Sequence, residues 1–543
     1  MNSNLVGRAG NVVRRHWRRA LRLRERFTLN EEAFHLILAG VTGVIGGVVN
    51  LLFFYAARLV QAMFLPHPGD PVEVAEMMLP WQRVLVPTLG GLAAGLILYW
   101  GLRLIGPQGS SNLLEVVVAG DGRLPFRSET VKTGSALVSI ATGASIGREG
   151  GIIHLAATLS SKLGQIARWP PYRLRLLVGC GTAAGVAAAY NAPIAGAVFS
   201  ALIVMGNFSM NLFAPLVVSS VTAAVVSRSF FGIEPWYHVP PFPAASPMQL
   251  PWFVMLGMIC GGVGAYFLKL LRDSEERFHR LRWPIYVKLA FAGLVVGLVA
   301  LEFPGVCGNG YYVTNRILRE PQPMLGLGGL FAAKLLATAV TVGAGTVGGV
   351  FTPTLFLGGA AGAMFGGLLH GAGGALDLPA GAFALAGMGA TLAATTRSPL
   401  LAIIMIFELS LDYSLMPPVM LACVVSTLVA RVLHGESVYT EHLRLKGLAL
   451  PAETHRPGEA MERTVGDLMR PPVAPVRDTA TLEEIARRFL ASSNNFLPVV
   501  DDKRRLLGVV ALLDMKEFLN SPQELRAVIA ADVMRPLPRS LTP

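Results

Sequence analysis

The sequence predicts an all-α polytopic membrane protein that carries a small α/β domain near its C-terminal end. Three observations predict this. Of 543 residues, 53% are hydrophobic and only 15% are charged, with a mean hydropathy of +0.53, whereas a soluble chain of this length carries more charge. Eight or more apolar stretches recur between residues 35 and 433, each suited to the hydrocarbon interior of a bilayer. Beyond Arg431 the composition turns mixed and polar, and residues 464–520 read as strands alternating with an amphipathic helix. The 59 glycines fit the same class, because small residues let helices approach closely in lipid, where burying apolar area gains nothing.

Charge and cysteine usage narrow the functions. Much of the net charge of +12 lies at the ends of the chain, which argues against a nucleic-acid partner and for retention of the ends on the cytoplasmic side. The four cysteines, Cys180, Cys260, Cys307 and Cys423, are far apart and show neither zinc spacing nor a disulfide framework. They read as small buried apolar residues. No nucleophile–base set, metal cluster or cofactor motif stands out, so the sequence predicts no enzyme and no cofactor.

In chain order, residues 1–33 form a basic segment with Arg14, Arg15, Arg18, Arg19, Arg22, Arg24 and Arg26. No apolar core follows at once, so it is not a signal peptide. It reads either as an amphipathic segment on the inner membrane face or as a disordered basic arm. The first span is about Phe34–Phe64, with Gly40, Gly43, Gly46 and Gly47 as a small-residue stripe. The second is about Trp81–Ile105, with Gly90, Gly91 and Gly95. The acidic loop between them, with Asp70, Glu73 and Glu76, suits an external hairpin. Ser111 and Asn112 precede Leu113-Leu114-Glu115, where a polar side chain caps a helix; a hydroxyl there also suits an ion. The helices between 128 and 166 read as short for a span of about 30 Å, and broken segments of this kind line protein-enclosed paths.

Gly147-Arg148-Glu149-Gly150-Gly151 sets two charges inside a long apolar region. Charge at membrane depth is costly and is kept for an ion path or a bundle contact. The glycines permit close backbone approach and a helix start with free amides. Such a start attracts anions, and an acidic side chain fills the same place. Glu149 therefore reads either as a tethered anion that competes with a mobile one, or as half of a buried Arg148–Glu149 structural contact.

The segment Ala187–Ala195, with Asn191 and Pro193, resembles Ala393–Leu401, with Arg397 and Pro399, at a separation of 206 residues. Each copy precedes an apolar stretch, so the membrane region divides into repeated halves, a transporter sign. In the second half, Gly343–Pro353 is too rich in glycine for a plain span. It reads as a loop entering a helix at Phe351–Pro353, with amides resembling an anion nest or with glycines serving tight packing alone. No Lys-Ser or Lys-Thr follows, so it is no nucleotide loop. Toward the tail, Val473–Val476, Phe496–Val500 and Leu507–Leu513 read as strands and Leu482–Leu490 as a helix.

These motifs together resemble the CLC family of chloride channels and chloride/proton antiporters, from near residue 34 to 446, and the tail resembles the CBS domain. Gly147–Gly150 is similar to the family's gating-glutamate motif and Gly349-Val350-Phe351-Thr352-Pro353 to its Gly-x-Phe-x-Pro motif. Asn191-Ala192-Pro193, Phe407-Glu408-Leu409 and Ser437-Val438-Tyr439 follow in the expected order. The resemblance implies an inverted-repeat helical bundle with halves at roughly 34–232 and 247–446. It also implies a homodimer with one pore per subunit, in a bacterial inner membrane with both termini cytoplasmic. Glu149 would be the external gate, supported by Gly147, Arg148 and Gly150. The amides of Val350 and Phe351 would hold a central chloride, and the Tyr439 hydroxyl would complete that site from the inside.

Three departures qualify the resemblance. The family's serine motif, Gly-Ser-Gly-Ile-Pro, is Gly109-Ser110-Ser111-Asn112-Leu113 here. Alignment on Glu115 selects Ser111 as the chloride-binding serine, which we prefer, and alignment on Gly109 selects Ser110. Gly151 replaces a common proline. Most important, the glutamate that takes up protons from the cytoplasm in many exchangers is Ile203 here, aligned through Phe199. An isoleucine carries no proton, so the sequence favours chloride transport that is channel-like or weakly proton-coupled. Chloride/proton antiport, through water or another acid such as Glu408, is the alternative; Glu408 equally fits a helix-end contact. A membrane scaffold or sensor signalling through the tail is a remote third reading. A linker at 447–463 precedes the CBS-like module at 464–520, and Ala531–Pro536 reads as the start of a second module cut short at Pro543. Nucleotide binding by this tail is not expected.

Overall fold

Close contact between small residues decides how the bundle is built. The computed structural model describes residues 31–64, 69–106, 112–118, 120–206, 208–233, 236–371, 378–441, 473–490, 496–512 and 528–536. The basic segment before Glu31, Ser110 and Ser111, and the linker lie outside the described residues. The chain divides into two compact units, Met1–Leu450 and Pro451–Pro543.

The first half of the larger unit runs through α1 (Glu31–Phe64), α2 (Pro71–Met77), α3 (Pro80–Ile105), α4 (Leu113–Val118), α5 (Phe126–Ala141), α6 (Glu149–Ala167), α7 (Pro171–Tyr190), α8 (Pro193–Phe199), a π-helical turn (Ser200–Val204) and α9 (Met210–Phe231). The second half runs through α10 (Leu250–Arg280), α11 (Ile285–Glu302), α12 (Tyr311–Arg319), α13 (Met324–Gly343), α14 (Phe351–Gly371), α15 (Ala380–Thr396), α16 (Pro399–Ser410) and α17 (Met416–Leu433). Among the described residues, eight helices are long and apolar enough to cross a membrane. One expectation needs correction: α6, at 19 residues, is not short, since its length of about 28 Å nearly matches a bilayer core. The acidic stretch before α3 is also not a plain loop. Asp70 caps α2 by accepting from the Val72 amide at 2.9 Å.

The two halves repeat one packing scheme. In the first, α7 packs on α6, α8, α9 and α1; in the second, α15 packs on α14, α16, α17 and α10. The similar segments sit at matching points. Asn191 and Arg397 end α7 and α15 in left-handed conformation, with φ of 59° and 58°. Pro193 and Pro399 then open α8 and α16, where a missing amide hydrogen costs nothing. Both central helices are buried almost all round, as their uniformly apolar and small sequences require. A Cβ at Gly358 or Gly362 would collide with the carbonyls of Gly387 or Phe383, so α14 and α15 touch backbone to backbone. Across the halves, α3 packs on α11 and α8 on α16.

The smaller unit has a four-stranded sheet, in the order β1 (Val476–Arg477), β2 (Phe496–Val500), β3 (Leu506–Ala511) and β4 (Arg535–Pro536). β1 and β2 are parallel and the other two pairs antiparallel. Helices α18 (Leu482–Leu490) and α19 (Ala530–Val533) accompany it. Val476, Leu482, Ile485, Phe489, Leu497, Val499 and Val510 form its core. The first strand is shorter than its sequence suggests and includes only Val476 of the Val473–Val476 stretch. The stretch around Ala531 packs onto this module: the amides of Ala530 and Ala531 donate to the carbonyls of Ala480 and Asp478 at 2.8 and 2.9 Å, and β4 pairs with β3.

Glu408 joins the halves. It lies on α16, 9% exposed, and its carboxylate oxygens accept from the amides of Ile194 at 2.9 Å and Ala195 at 2.7 Å, in the first turn of α8. Its contact is thus a helix-end contact of the kind weighed above. Glu408→Ala leaves two amides without this acceptor, at a cost of about 2–3 kcal/mol. We expect a clear drop in the melting temperature of the detergent-solubilised protein, followed by tryptophan fluorescence. A melting temperature equal to wild type would contradict this role.

Candidate functional site

Two glycine-rich loops meet where α6 and α14 begin. Gly147 and Gly349 pair as an antiparallel bridge, with N–H···O distances of 2.7 and 3.0 Å. A Cβ at Gly147 would strike the Glu149 carboxylate, and one at Gly349 would lie 2.6 Å from its Oε1. Glycine at both places leaves the carboxylate the room it occupies. The two helix starts are thereby fixed beside each other.

Glu149 is the first residue of α6 and is 3% exposed. Its Oε1 accepts from the Thr352 amide at 3.1 Å, and its Oε2 accepts from the Thr352 hydroxyl at 3.0 Å. Thr352 is in the first turn of α14, where amides have no acceptor within the helix and the dipole favours negative charge. The carboxylate thus occupies an anion place at the start of a helix from the other half. The Thr352 hydroxyl also lies 2.9 Å from the Tyr190 hydroxyl at the end of α7. The Tyr190 ring packs on Phe351, with centroids 5.0 Å apart.

Arg148 does not form the buried pair that was one reading of the motif. Its guanidinium lies 4.3 Å from the centroid of Trp236 and 5.5 Å from that of Tyr311. Among the described residues it makes no ion pair with Glu149.

A cavity of about 460 Å³ adjoins these helix starts. It brings together Glu149, Gly150, Val350, Phe351, Tyr439 and Ile203, residues that the sequence places far apart. Tyr439 packs its ring edge-on against Phe199, with centroids 5.5 Å apart. Ile203 lies in the π-helical turn after α8, a local bulge of the kind frequent at functional sites. Gly147 and Arg148 lie beside the cavity's start rather than in its lining. Ser111 and Ser110 lie outside the described residues. Their neighbour Asn112 lines the cavity, and its Oδ1 accepts from the amides of Leu114 and Glu115 at 3.0 and 3.2 Å, so Asn112 is the cap of α4. Among the described residues, no group of three His, Cys, Asp or Glu could hold a metal.

Sequence reasoning missed three participants. Thr352 stands inside the quoted Gly349–Pro353 motif but reads as filler there. Tyr190 stands inside the repeated segment, where Thr396 is its counterpart. Glu129, a second buried carboxylate lining the cavity, was signalled only by being a charge at membrane depth.

Comparison with known proteins follows the same division. A family model described as Voltage gated chloride channel matches residues 90–431, and one described as CBS domain matches residues 465–521. A ClcB-like protein of Ralstonia nicotianae is 41% identical over 413 residues, covering 75% of this chain and 96% of its own. The voltage-gated ClC-type chloride channel ClcB of Escherichia coli K12 is 35% identical over 418 residues, covering 75% and 99%. Among solved structures, a slow cyanobacterial Cl−/H+ antiporter superposes with a TM-score of 0.67 at 24% identity, covering 77% of this chain and 98% of that one.

Proposed function

The chain belongs to the voltage gated chloride channel family, whose members transport chloride and are not enzymes, and from that premise we propose that Glu149 gates a chloride path through this subunit. One observation carries the reading: the Glu149 carboxylate sits on the first-turn amide and hydroxyl of Thr352, at the edge of the cavity. A tethered anion holding a helix-start site closes it to a mobile one. Once protonated, the side chain no longer mimics chloride and yields. The first-turn amides of Val350 and Phe351 and the Tyr439 hydroxyl then solvate chloride without a fixed positive charge, so that entry and exit both stay easy. Ser111, or Ser110, completes the site from the α4 loop.

Transport is channel-like or weakly proton-coupled. Ile203 faces the cavity where many exchangers carry an acid, and an apolar stretch is a barrier to protons. Stoichiometric chloride/proton antiport is the second reading, favoured by the Glu129 carboxylate in the same cavity. Membership of the family fits a homodimer in a bacterial inner membrane, and the positive ends support cytoplasmic termini; nucleotide binding by the tail is not expected.

Reconstituted vesicles test the selectivity and the gate together. The reversal potential should follow the chloride gradient and ignore potassium. Glu149→Gln should lose most of the pH response while conducting chloride, and wild type at low external pH should behave like that variant. Abolished flux in a folded Glu149→Gln protein would instead mark a structural role.

Thr352→Val removes the hydroxyl that holds Glu149 and preserves the side-chain shape. A hydrogen bond to a charged group contributes about 1.5–3 kcal/mol, and 1.4 kcal/mol is about tenfold in an equilibrium. Chloride efflux at neutral pH should rise by roughly tenfold or until opening no longer limits it. Efflux equal to wild type would remove Thr352 from the gate.

Proton uptake into proteoliposomes, with a chloride gradient, no initial proton gradient and the potential clamped by potassium and valinomycin, separates the two mechanisms. Chloride should move with little or no uphill proton movement. Uphill uptake at a fixed ratio to chloride, lost in Glu149→Ala, would establish antiport.

A further inference from the structure

A gate that opens on protonation needs protons, and Ile203 cannot supply them from the cavity side. The same cavity holds another carboxylate. Glu129, on α5, is 1% exposed, and its two oxygens face two different titratable groups. Oε1 lies 3.1 Å from the Lys132 ammonium on its own helix, and Oε2 lies 3.4 Å from His154 Nδ1 on α6. His154 is five residues past Glu149 on the gate's own helix, about 7.5 Å further along its axis. Its side chain is 37% exposed, and its two ring nitrogens allow a proton to be taken up at one and released at the other.

Glu129, Lys132, His154 and Glu149 all line the one cavity. The other charged groups around it are Arg272 and Glu275, from α10, and Glu441, beyond Tyr439. Lys132 also lines a second, mostly apolar recess of about 380 Å³ beside Tyr99. A single water needs only about 10–15 Å³ on this measure of volume. The 460 Å³ cavity therefore has room for a water chain between Glu129 and Glu149.

We propose that His154 and Glu129 are the proton entry of the gate from the cavity side, taking over from the acid that Ile203 replaces. The proposal rests on reading Glu149 as the gate. The imidazolium of His154 passes its Nδ1 proton to Glu129 Oε2 and is reprotonated from water at its exposed edge. Glu129 releases the proton to cavity water, which carries it to the Glu149 carboxylate. Among the described residues, the Thr352 contact is made by Glu149 and not by Glu129 or His154. Their effect is on proton supply, and only from one side.

That sidedness is the test. The full-length protein is placed in planar bilayers, and chloride current is recorded while pH is changed on one side at a time. Wild type should respond to acid on both sides, and Glu149→Gln on neither. Glu129→Gln and His154→Gln should each lower the proton sensitivity on the cavity side at least tenfold relative to the opposite side, and Glu129→Asp should restore part of it. An unchanged two-sided response in Glu129→Gln and His154→Gln, beside a silent Glu149→Gln, overturns the proposal and leaves the gate standing. Equal loss on both sides overturns it too, since a structural defect is not one-sided. A Glu149→Gln protein that still responds overturns the gate reading itself, and the proposal with it. If Glu129→Gln does not fold, His154→Gln at its partly exposed position decides alone.

Discussion

A carboxylate from one half of the bundle rests on the first turn of a helix from the other half. In a bilayer an ion must find replacements for its water, and helix starts offer amide hydrogens that the helix itself does not use. The contact from Glu149 to Thr352 uses such a start. It is possible only because Gly147 and Gly349 leave room for the carboxylate and bridge to each other. Behind the bridge, α7 packs on α6 and α15 packs on α14, both central helices buried and small throughout. Composition, packing and site are consequences of one requirement, that two helix starts face each other at close range.

The buried charges show how that requirement separates structure from transport. Among the described residues, Glu129, Glu149, Lys334 and Glu408 are the buried charged side chains. Lys334 donates to the carbonyls of Val306 and Gly308 at 2.9 and 2.8 Å, and Glu408 accepts from two amides. Backbone partners of this kind neither titrate nor leave, which suits a fixed strut. Glu149 is held by one amide and one hydroxyl, and the hydroxyl can turn to Tyr190 instead. Glu129 includes two titratable side chains among its partners. The more a buried charge depends on groups that can rotate or change protonation, the better it is suited to move or to pass a proton.

Much of the fold is legible in sequence, because lipid forces long apolar stretches and the 206-residue repeat marks the halves. The motif residues Glu149, Val350, Phe351 and Tyr439 do converge on one cavity. What is not legible are the partners, which lie across the repeat. Thr352 meets Glu149 over 203 positions and Tyr190 over 162, and Glu408 reaches α8 over 213. No local pattern encodes such pairs. Glu129 and His154 are only 25 apart, yet they sit on different helices whose facing sides the sequence does not define. Arg148 is instructive in another way. Its adjacency to Glu149 suggests a pair, but at the start of a helix neighbouring side chains diverge, and its guanidinium turns to Trp236 and Tyr311.

The repeat also explains why the site is asymmetric. Gly147 and Gly349 each stand two residues before a helix start, so Phe351 opens α14 as Glu149 opens α6. Both residues begin their helices, but only one is acidic. A carboxylate at each start would place two like charges beside the same few amides, and each would oppose ionisation of the other. An apolar residue at both starts would leave the amides always open to a mobile anion. With glutamate in one half and phenylalanine in the other, one half supplies the competing charge and the other supplies the amides for which it competes. The same division places Ile203, Glu129 and Tyr439 around the cavity beside Phe351. On the proposed gate reading, a repeated fold thereby yields a single path with a removable anion at one end.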